Sequence, residues 1–350
     1  MGYQLFESAK LGPLELRNRT IRSATNEHLS EPDGQLTADW ANAQIELAQG
    51  GVGLVITGHM TVDRTQRADE GQPVIDRGID MALFKKAADG VHAAGGKILV
   101  QISHSGIKGM ASVNGRPAMK PEDFTVQELD KLVELFADAA LICKEAGFDG
   151  IQVHNAHGYL LSNFLNPNEN HRTDEYGGSL ENRFKLTGRI FKAIREACGS
   201  DFAMLVKADS NGSGDLHRQL ELYQQAGVDA VEISGVDFNT KAKVRIPFYF
   251  EELMAAKDGI DLPFILVGGM FSRQTAQAVL DAGIPFVAFC RSLIHDPGFI
   301  GKLERGEVEE SKCLSCNACY KIYRSKPVRC VTHAEPIAQL EKLYGPYGKN

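Results

Sequence analysis

Two histidines, His154 and His157, stand three residues apart in the stretch VHNAHGYLLSNFL (153–165), with Tyr159 just beyond them. Imidazoles at that spacing can ligate a metal, sit satisfied in a core, or donate hydrogen bonds to a bound oxygen beside a phenolic acid. A hydrolytic metal site would want acidic residues or a third histidine from other strands. His104 and Asp209 could be recruited, but no ladder of carboxylates accompanies them. A second group closes the chain. Cys313, Cys316, Cys319 and Cys330 read C-x2-C-x2-C-x10-C, and they are four of the seven cysteines. In a reducing compartment such crowding points to metal before disulfide, and thiolate spacing alone fits an iron–sulfur cluster, zinc, or a metal-free remnant loop.

The elements that must position these groups recur down the chain. Eight apolar runs, at 20–25, 53–58, 97–103, 149–154, 202–208, 230–235, 264–269 and 286–291, have the continuous character of parallel strands buried on both faces. Amphipathic segments separate them. The clearest starts with a capping box, Thr125 and Glu128. It carries Leu129, Leu132, Val133, Phe136, Ala140 and Cys143 on one face and stops at Gly147. Strand then helix, eight times without a long linker, predicts an α/β (β/α)8 TIM barrel over 1–310, a single domain, with a Cys-rich C-terminal extension over 311–350 packed on it. A doubly wound sheet would need a glycine-rich turn after the first strand, and RSATNEH is not one.

A barrel places its site at the C-terminal ends of the strands. Those ends supply Thr25, Asn26, Gly58, Gln101, His104, His154, His157, Lys207, Ser234, Gly268, Gly269 and Arg291, a polar ring suited to a flat ligand rich in heteroatoms. Gly268-Gly269 and Cys290-Arg291 close the last two strands, where barrels commonly hold a phosphate. Glycine lets backbone N–H groups approach, and arginine offers a bidentate fork. The expected ligand is therefore a phosphorylated cofactor with a polar ring.

Composition narrows the rest. The chain has 350 residues, is 43% hydrophobic and carries a net charge of −7. No long basic run argues for nucleic acid. The opening MGYQLFESAKLGPLEL has no apolar signal core, and no window reaches the roughly 18 apolar residues of a membrane span. Phe6 stands where myristoylation wants Ser or Thr. The expectation is a soluble cytoplasmic protein with a small-molecule substrate, no membrane or nucleic-acid partner, and a homo-oligomer left open.

The segment HNAHGYLLSNFLNPNENHRTDEYGGSLENRFK (154–185) is long and idiosyncratic, and with it the chain resembles the old yellow enzyme family of flavin-dependent oxidoreductases. The likeness lies within the branch that includes 2,4-dienoyl-CoA reductase and trimethylamine dehydrogenase, and it runs from LFESAKLGPLELRNR to the cysteines. It implies FMN in the barrel mouth, NAD(P)H as electron donor, and reduction of activated alkenes by an ene-reductase. The alternative is a flavin protein that passes electrons to or from a partner. By resemblance, Gln101 meets the pyrimidine edge of the flavin, and Gly268, Gly269 and Arg291 hold its phosphate. Ala24, Asn26, Gly58, His154 and Ser234 complete the cofactor wall. His154 and His157 grip the substrate oxygen and Tyr159 donates the proton. Lys207 falls where the family has arginine beside flavin N1, which keeps a charge but loses the fork. Asn26 replaces a Thr or Cys, and His59 replaces a small residue. Such chemistry needs these types: two N–H donors stabilise charge developing on a carbonyl, and a phenol of pKa about 10 stays protonated until needed. In that branch a similar cysteine group carries [4Fe–4S]. Here the spacings are each one residue shorter, and the chain ends at Asn350, so the expectation is that no second flavin domain feeds a cluster.

In the loop after the motif, Gly177-Gly178 is expected to turn tightly and Ser179 to cap a helix. Asp174, Glu175 and Arg183 are expected to be structural. The loop HSGIKGMASVNGRPAMKPEDF is read as shorter than in many relatives, leaving the substrate side more open.

Overall fold

The computed structural model describes residues 3–238, 240–241, 243–321 and 327–332. Eleven strands form: β1 (Ala9–Leu11), β2 (Leu14–Leu16), β3 (Thr20–Arg22), β4 (Leu54–Ile56), β5 (Met60–Thr61), β6 (Lys97–Ser103), β7 (Gly150–Asn155), β8 (Ala203–Asp209), β9 (Ala230–Ser234), β10 (Phe264–Val267) and β11 (Phe286–Phe289). Strands β3, β4, β6, β7, β8, β9, β10 and β11 pair in parallel in that order, β11 returns to β3, and the barrel closes. These are the eight runs read from the sequence. Short β5 pairs with the end of β6 and makes an isolated bridge from Thr61 to Val74.

Side-chain alternation along the strands splits the core in two. Ile151, Val153, Val206, Val231, Ile233, Leu266 and Val287 belong to the larger cluster, between sheet and helices. Ile21, Leu54, Ile56, Leu99, Leu205, Ile265 and Phe286 belong to a separate cluster within the barrel. Leu11, Leu14 and Leu16 join that inner cluster from the antiparallel pair β1–β2, which plugs the barrel floor. This hairpin was not expected from the sequence. Its two-residue turn is Gly12-Pro13, with Gly12 at φ +55°, and a G-P pair is a turn signal.

The helix Val126–Glu145 begins as expected. Thr125 Oγ1 accepts from Glu128 N, and the Glu128 carboxylate accepts from Thr125 N at 2.8 Å. Such a cap stabilises by about 1 kcal/mol. The loop after β7 is fastened by charge. Arg172 donates to the carbonyls of Pro121 and Phe124, each at 2.6 Å, and pairs with Asp174. Buried Arg183 donates to Leu165 O at 2.7 Å and to Gly178 O, and Ser179 Oγ accepts from Asn182 N. A Cβ on Gly177 would lie 1.9 Å from Arg172 O, so only glycine fits. Among the described residues no helix is long and apolar enough to cross a membrane. Residues 333–350 of the Cys-rich extension lie outside the described residues.

Candidate active site

The strand ends surround a cavity of about 360 Å³. Ala24, Asn26, Gln101, His154, His157, Tyr159, Lys207, Ser234, Gly268, Gly269 and Arg291 all line it. Two expected members do not. Gly58 faces the backbone after β3, where a Cβ would lie 2.4 Å from Thr25 O, so its lack of a side chain lets two strand ends approach. His104 is buried near Asp63 and Phe124, outside the lining.

Register sets the heights. His154 on β7 pairs with Lys207 on β8, so the imidazole and the ammonium leave the sheet at one level. The chain then bends sharply. His157 has φ +64°, a left-handed conformation few non-glycine residues adopt. Its N–H donates to Asp209 Oδ2 at 2.7 Å, and its Nε2 lies 2.8 Å from Ser234 Oγ. The two rings stand edge to face with centroids 5.2 Å apart. Burial holds both imidazoles well below their ordinary pKa, helped by each other's proximity at His154 and by Lys207 and Lys108 at both. They are therefore neutral donors, not cations. His154 Nδ1 is buried with no hydrogen-bond partner among the described residues.

Tyr159 packs against His154 and His59, with centroids 4.7 Å and 4.8 Å away. Burial raises its pKa, so the phenol keeps its proton. His59 is a site residue that the sequence reading set aside. Its Nδ1 meets Gln72 Nε2 at 2.8 Å, and its Nε2 lies 3.4 Å from Tyr159 Oη. With Gln72 donating, the proton of this neutral ring sits on Nε2 and points at the phenol oxygen, which leaves the Tyr159 O–H for a ligand. Burial lowers the His59 pKa to about 4. Lys108 was also missed. Its ammonium lies 5.4 Å from the centroid of the Tyr159 ring. The sequence offered no period to place it, because it sits on a short loop turn, Gly106–Lys108.

At the opposite end, Gly268 and Gly269 have φ +108° and +74°. A Cβ at either would strike Phe248 at 2.5 Å or Ile246 O at 1.8 Å. The glycines thus let the 246–248 segment close over the strand end beside Arg291. No carboxylate among the described residues lines the cavity.

The Cys-rich segment reaches this wall. Asn317 and Tyr320 line the cavity, and Tyr320 Oη lies 2.9 Å from Cys290 Sγ. Behind them Cys313, Cys316, Cys319 and Cys330 all line one smaller cavity, which shares Arg291 with the first. His295 Nδ1 stands 3.3 Å from Cys330 Sγ. Among the described residues no three His, Cys, Asp or Glu side chains are grouped to hold a metal ion.

Comparison with known proteins gives this arrangement a setting. The sequence profile of the NADH:flavin oxidoreductase / NADH oxidase family matches residues 4–310. NADH oxidase of Thermoanaerobacter brockii is 30% identical over 97% of this chain and 57% of its own length. The metal reductase of Desulforamulus reducens is 31% identical over 98% of this chain and 55% of its own. The 4,4'-dithiodibutanoate disulfide reductase of Rhodococcus erythropolis is 31% identical over 93% of this chain and 94% of its own. The chain thus spans little more than half the length of the first two. Among solved structures, a 2-naphthoyl-CoA reductase shares the fold with a TM-score of 0.86 at 23% identity, over 94% of this chain and 57% of its own. An old yellow enzyme homologue from Zymomonas mobilis does so with a TM-score of 0.76 at 21% identity, over 88% and 94%. The chain belongs to the NADH:flavin oxidoreductase family.

Proposed function

We propose that this family member is an FMN-dependent oxidoreductase that takes electrons from NAD(P)H and reduces the C=C bond of a small activated alkene, in a ping-pong cycle. The observation that carries the reading is the neutral His154–His157 pair beside a protonated Tyr159, on the wall of a cavity with a glycine–arginine end. The residues fit FMN on this structure's own terms. Burial orphans His154 Nδ1, Gly268 and Gly269 leave no room for a Cβ, and the lining combines an amide, an ammonium and a guanidinium. Gln101 and Lys207 would meet the polar ring edge, and Gly268, Gly269 and Arg291 the phosphate. Ala24, Asn26 and Ser234 would complete the wall.

Bound FMN supplies hydride transfer, chemistry no side chain offers. The protein's part is electrostatic and protonic. His154 and His157 each have an N–H to give to a carbonyl or nitro oxygen, stabilising the charge that builds there as the β-carbon is reduced. Neutral imidazoles serve here as aimed N–H donors, whose hydrogen bonds strengthen as the oxygen becomes negative. Tyr159 gives its proton to the α-carbon, and the N–H of His59 stabilises the oxygen left behind. Cinnamate reductase of Clostridium sporogenes, 26% identical over 97% of this chain, is named for such a bond.

A second reading is favoured by the cysteine-lined cavity. Cys313, Cys316, Cys319 and Cys330 are proposed to hold a [4Fe–4S] cluster, which would make the protein an electron-transfer flavoprotein serving a separate partner. Zinc is the other metal such thiols would take. Thiolate spacing alone leaves both metals open. Reduction with NADH under argon, followed by cyclohexenone, tests the enzyme reading through the flavin absorbance. Bleaching by NADH with full return on adding the enone supports it. A reduced flavin that ignores the enone supports electron transfer, and a colourless protein overturns both.

A further inference from the structure

One buried acid has no part in the scheme so far. Glu232 on β9 is fully buried, in register with Lys207 on β8, and does not line the cavity. A carboxylate there needs donors, and it has three. Ser23 Oγ donates at 2.5 Å, Gln152 Nε2 at 2.7 Å, and Lys207 Nζ stands at 3.3 Å. Lys207 Nζ also donates to Ser23 Oγ at 2.9 Å. An ammonium has three hydrogens, so the Glu232–Ser23 pair takes two and leaves one for the cavity.

The same acid fixes a polarity. An ionised carboxylate only accepts, so the Gln152 NH2 must face Glu232 and its carbonyl must face away. That carbonyl accepts from Gln101 Nε2 at 2.7 Å. The Gln101 amide is therefore locked, with its oxygen and one remaining N–H for the cavity. Lys207 and Gln101 are the two groups placed against the polar ring edge of FMN.

We infer that Glu232 is a positioning residue that sets both the charge and the hydrogen-bond polarity offered to the FMN ring, and that it holds the flavin's reduction potential low. The inference rests on the FMN reading above. A lone buried ammonium under the ring edge would favour the reduced, anionic ring. The paired ammonium favours it far less, because the carboxylate cancels most of its field at the ring. The lysine thus acts chiefly as a directed donor.

The test is a charge cycle read by potentiometry on the FMN-loaded protein. Glu232→Gln keeps the shape and removes the charge. It should raise the ratio of reduced to oxidised FMN affinity at least tenfold, about +30 mV for a two-electron couple. Lys207→Met should move the potential the other way by a similar factor, and the double variant should return it near the starting value. Glu232→Asp, which keeps the charge, should restore most of the low potential. If Glu232→Gln does not fold, comparing the neutral double variant with Lys207→Met alone still isolates the carboxylate: the double variant should sit at least tenfold, about 30 mV, higher. A Glu232→Gln or Lys207→Met protein that keeps its FMN at the unaltered potential overturns the inference. Wild-type protein that binds no FMN overturns the functional reading instead.

Discussion

The barrel mouth and the cysteine segment both gather reactive side chains around a cavity, yet they are held by different means. In the mouth every group hangs from a paired strand end or an anchored turn. His154 and Lys207 share a register pair, and His157 is pinned through its own N–H to Asp209. Among the described residues, no strand lies within the cysteine segment. Its fastenings are a few reaches onto the barrel, such as Ser311 N to Phe271 O at 2.7 Å, Arg245 to Cys313 O at 2.5 Å, and Val328 N to Glu27 O at 3.0 Å. Ser315 and Asn317 between its cysteines carry φ of +53° and +59°, conformations that cost energy for any residue but glycine. A sheet positions the first region before any ligand arrives. The second is held by contacts from loops onto the barrel.

Four perturbations probe that contrast. Tyr159→Phe should act hardest, slowing reoxidation of the flavin by an enone by about 10²–10⁴-fold while reduction by NADH stays within about twofold. Stopped-flow absorbance separates the two half-reactions, and a defect confined to reduction would remove Tyr159 from the acid role. His154→Ala removes one of two donors to the ligand oxygen. Phenols and enones should bind about 10–100-fold more weakly, the worth of one strong hydrogen bond, as titrated by the change in the flavin spectrum. Undiminished phenol affinity would leave the pair without its role as a clamp.

Asp209→Asn is a subtler probe of how the mouth is held. Burial pushes the Asp209 carboxyl up to about 7, against hydrogen bonds from His157 N and Ser162. The folded state therefore binds this proton more tightly than the unfolded chain. Its contribution to stability is complete below pH ~4 and is lost as pH rises through 7. The wild-type melting temperature should fall by a few degrees across that window relative to Asp209→Asn, whose amide can still accept from His157. Parallel melting profiles would mean that the carboxyl is not held at that value. The smallest effect on the barrel should come from Cys313→Ser. If the cysteines hold a cluster, iron and sulfide per chain should drop to background after anaerobic purification, while FMN content and barrel melting hardly change. A variant that sheds its FMN as well would show the two regions to be one.

The strands were legible because each is a largely apolar run, and such a run is itself the mark of a buried parallel sheet. The site was legible wherever a side chain leaves a strand end, as His154, Lys207 and Gln101 do. Positions off the strands were harder. Lys108 occupies a short turn without periodicity, and His59 follows β4 on a segment bent toward the mouth by its bonds to Ser103 and Gln72. Gln72 lies 13 residues beyond His59 along the chain yet meets its ring at 2.8 Å, and no sequence period joins them. The hairpin β1–β2 had its Gly-Pro turn in view, but its strands are three residues each, too short for alternation to speak. Glu232 sits in AVEISG among apolar neighbours and was not singled out; only its inward parity could have marked it.

Arg291 belongs to the linings of both cavities. Asn317 lines both as well, and side chains shared in this way make a thermodynamic joint. Any factor by which filling the cysteine-lined cavity changes affinity in the barrel mouth must equal the factor by which filling the mouth changes affinity at the cysteines. The two ligands would then be bookkeepers of one another: titrating the mouth with FMN at fixed metal, and the cysteines with metal at fixed FMN, must return the same coupling constant.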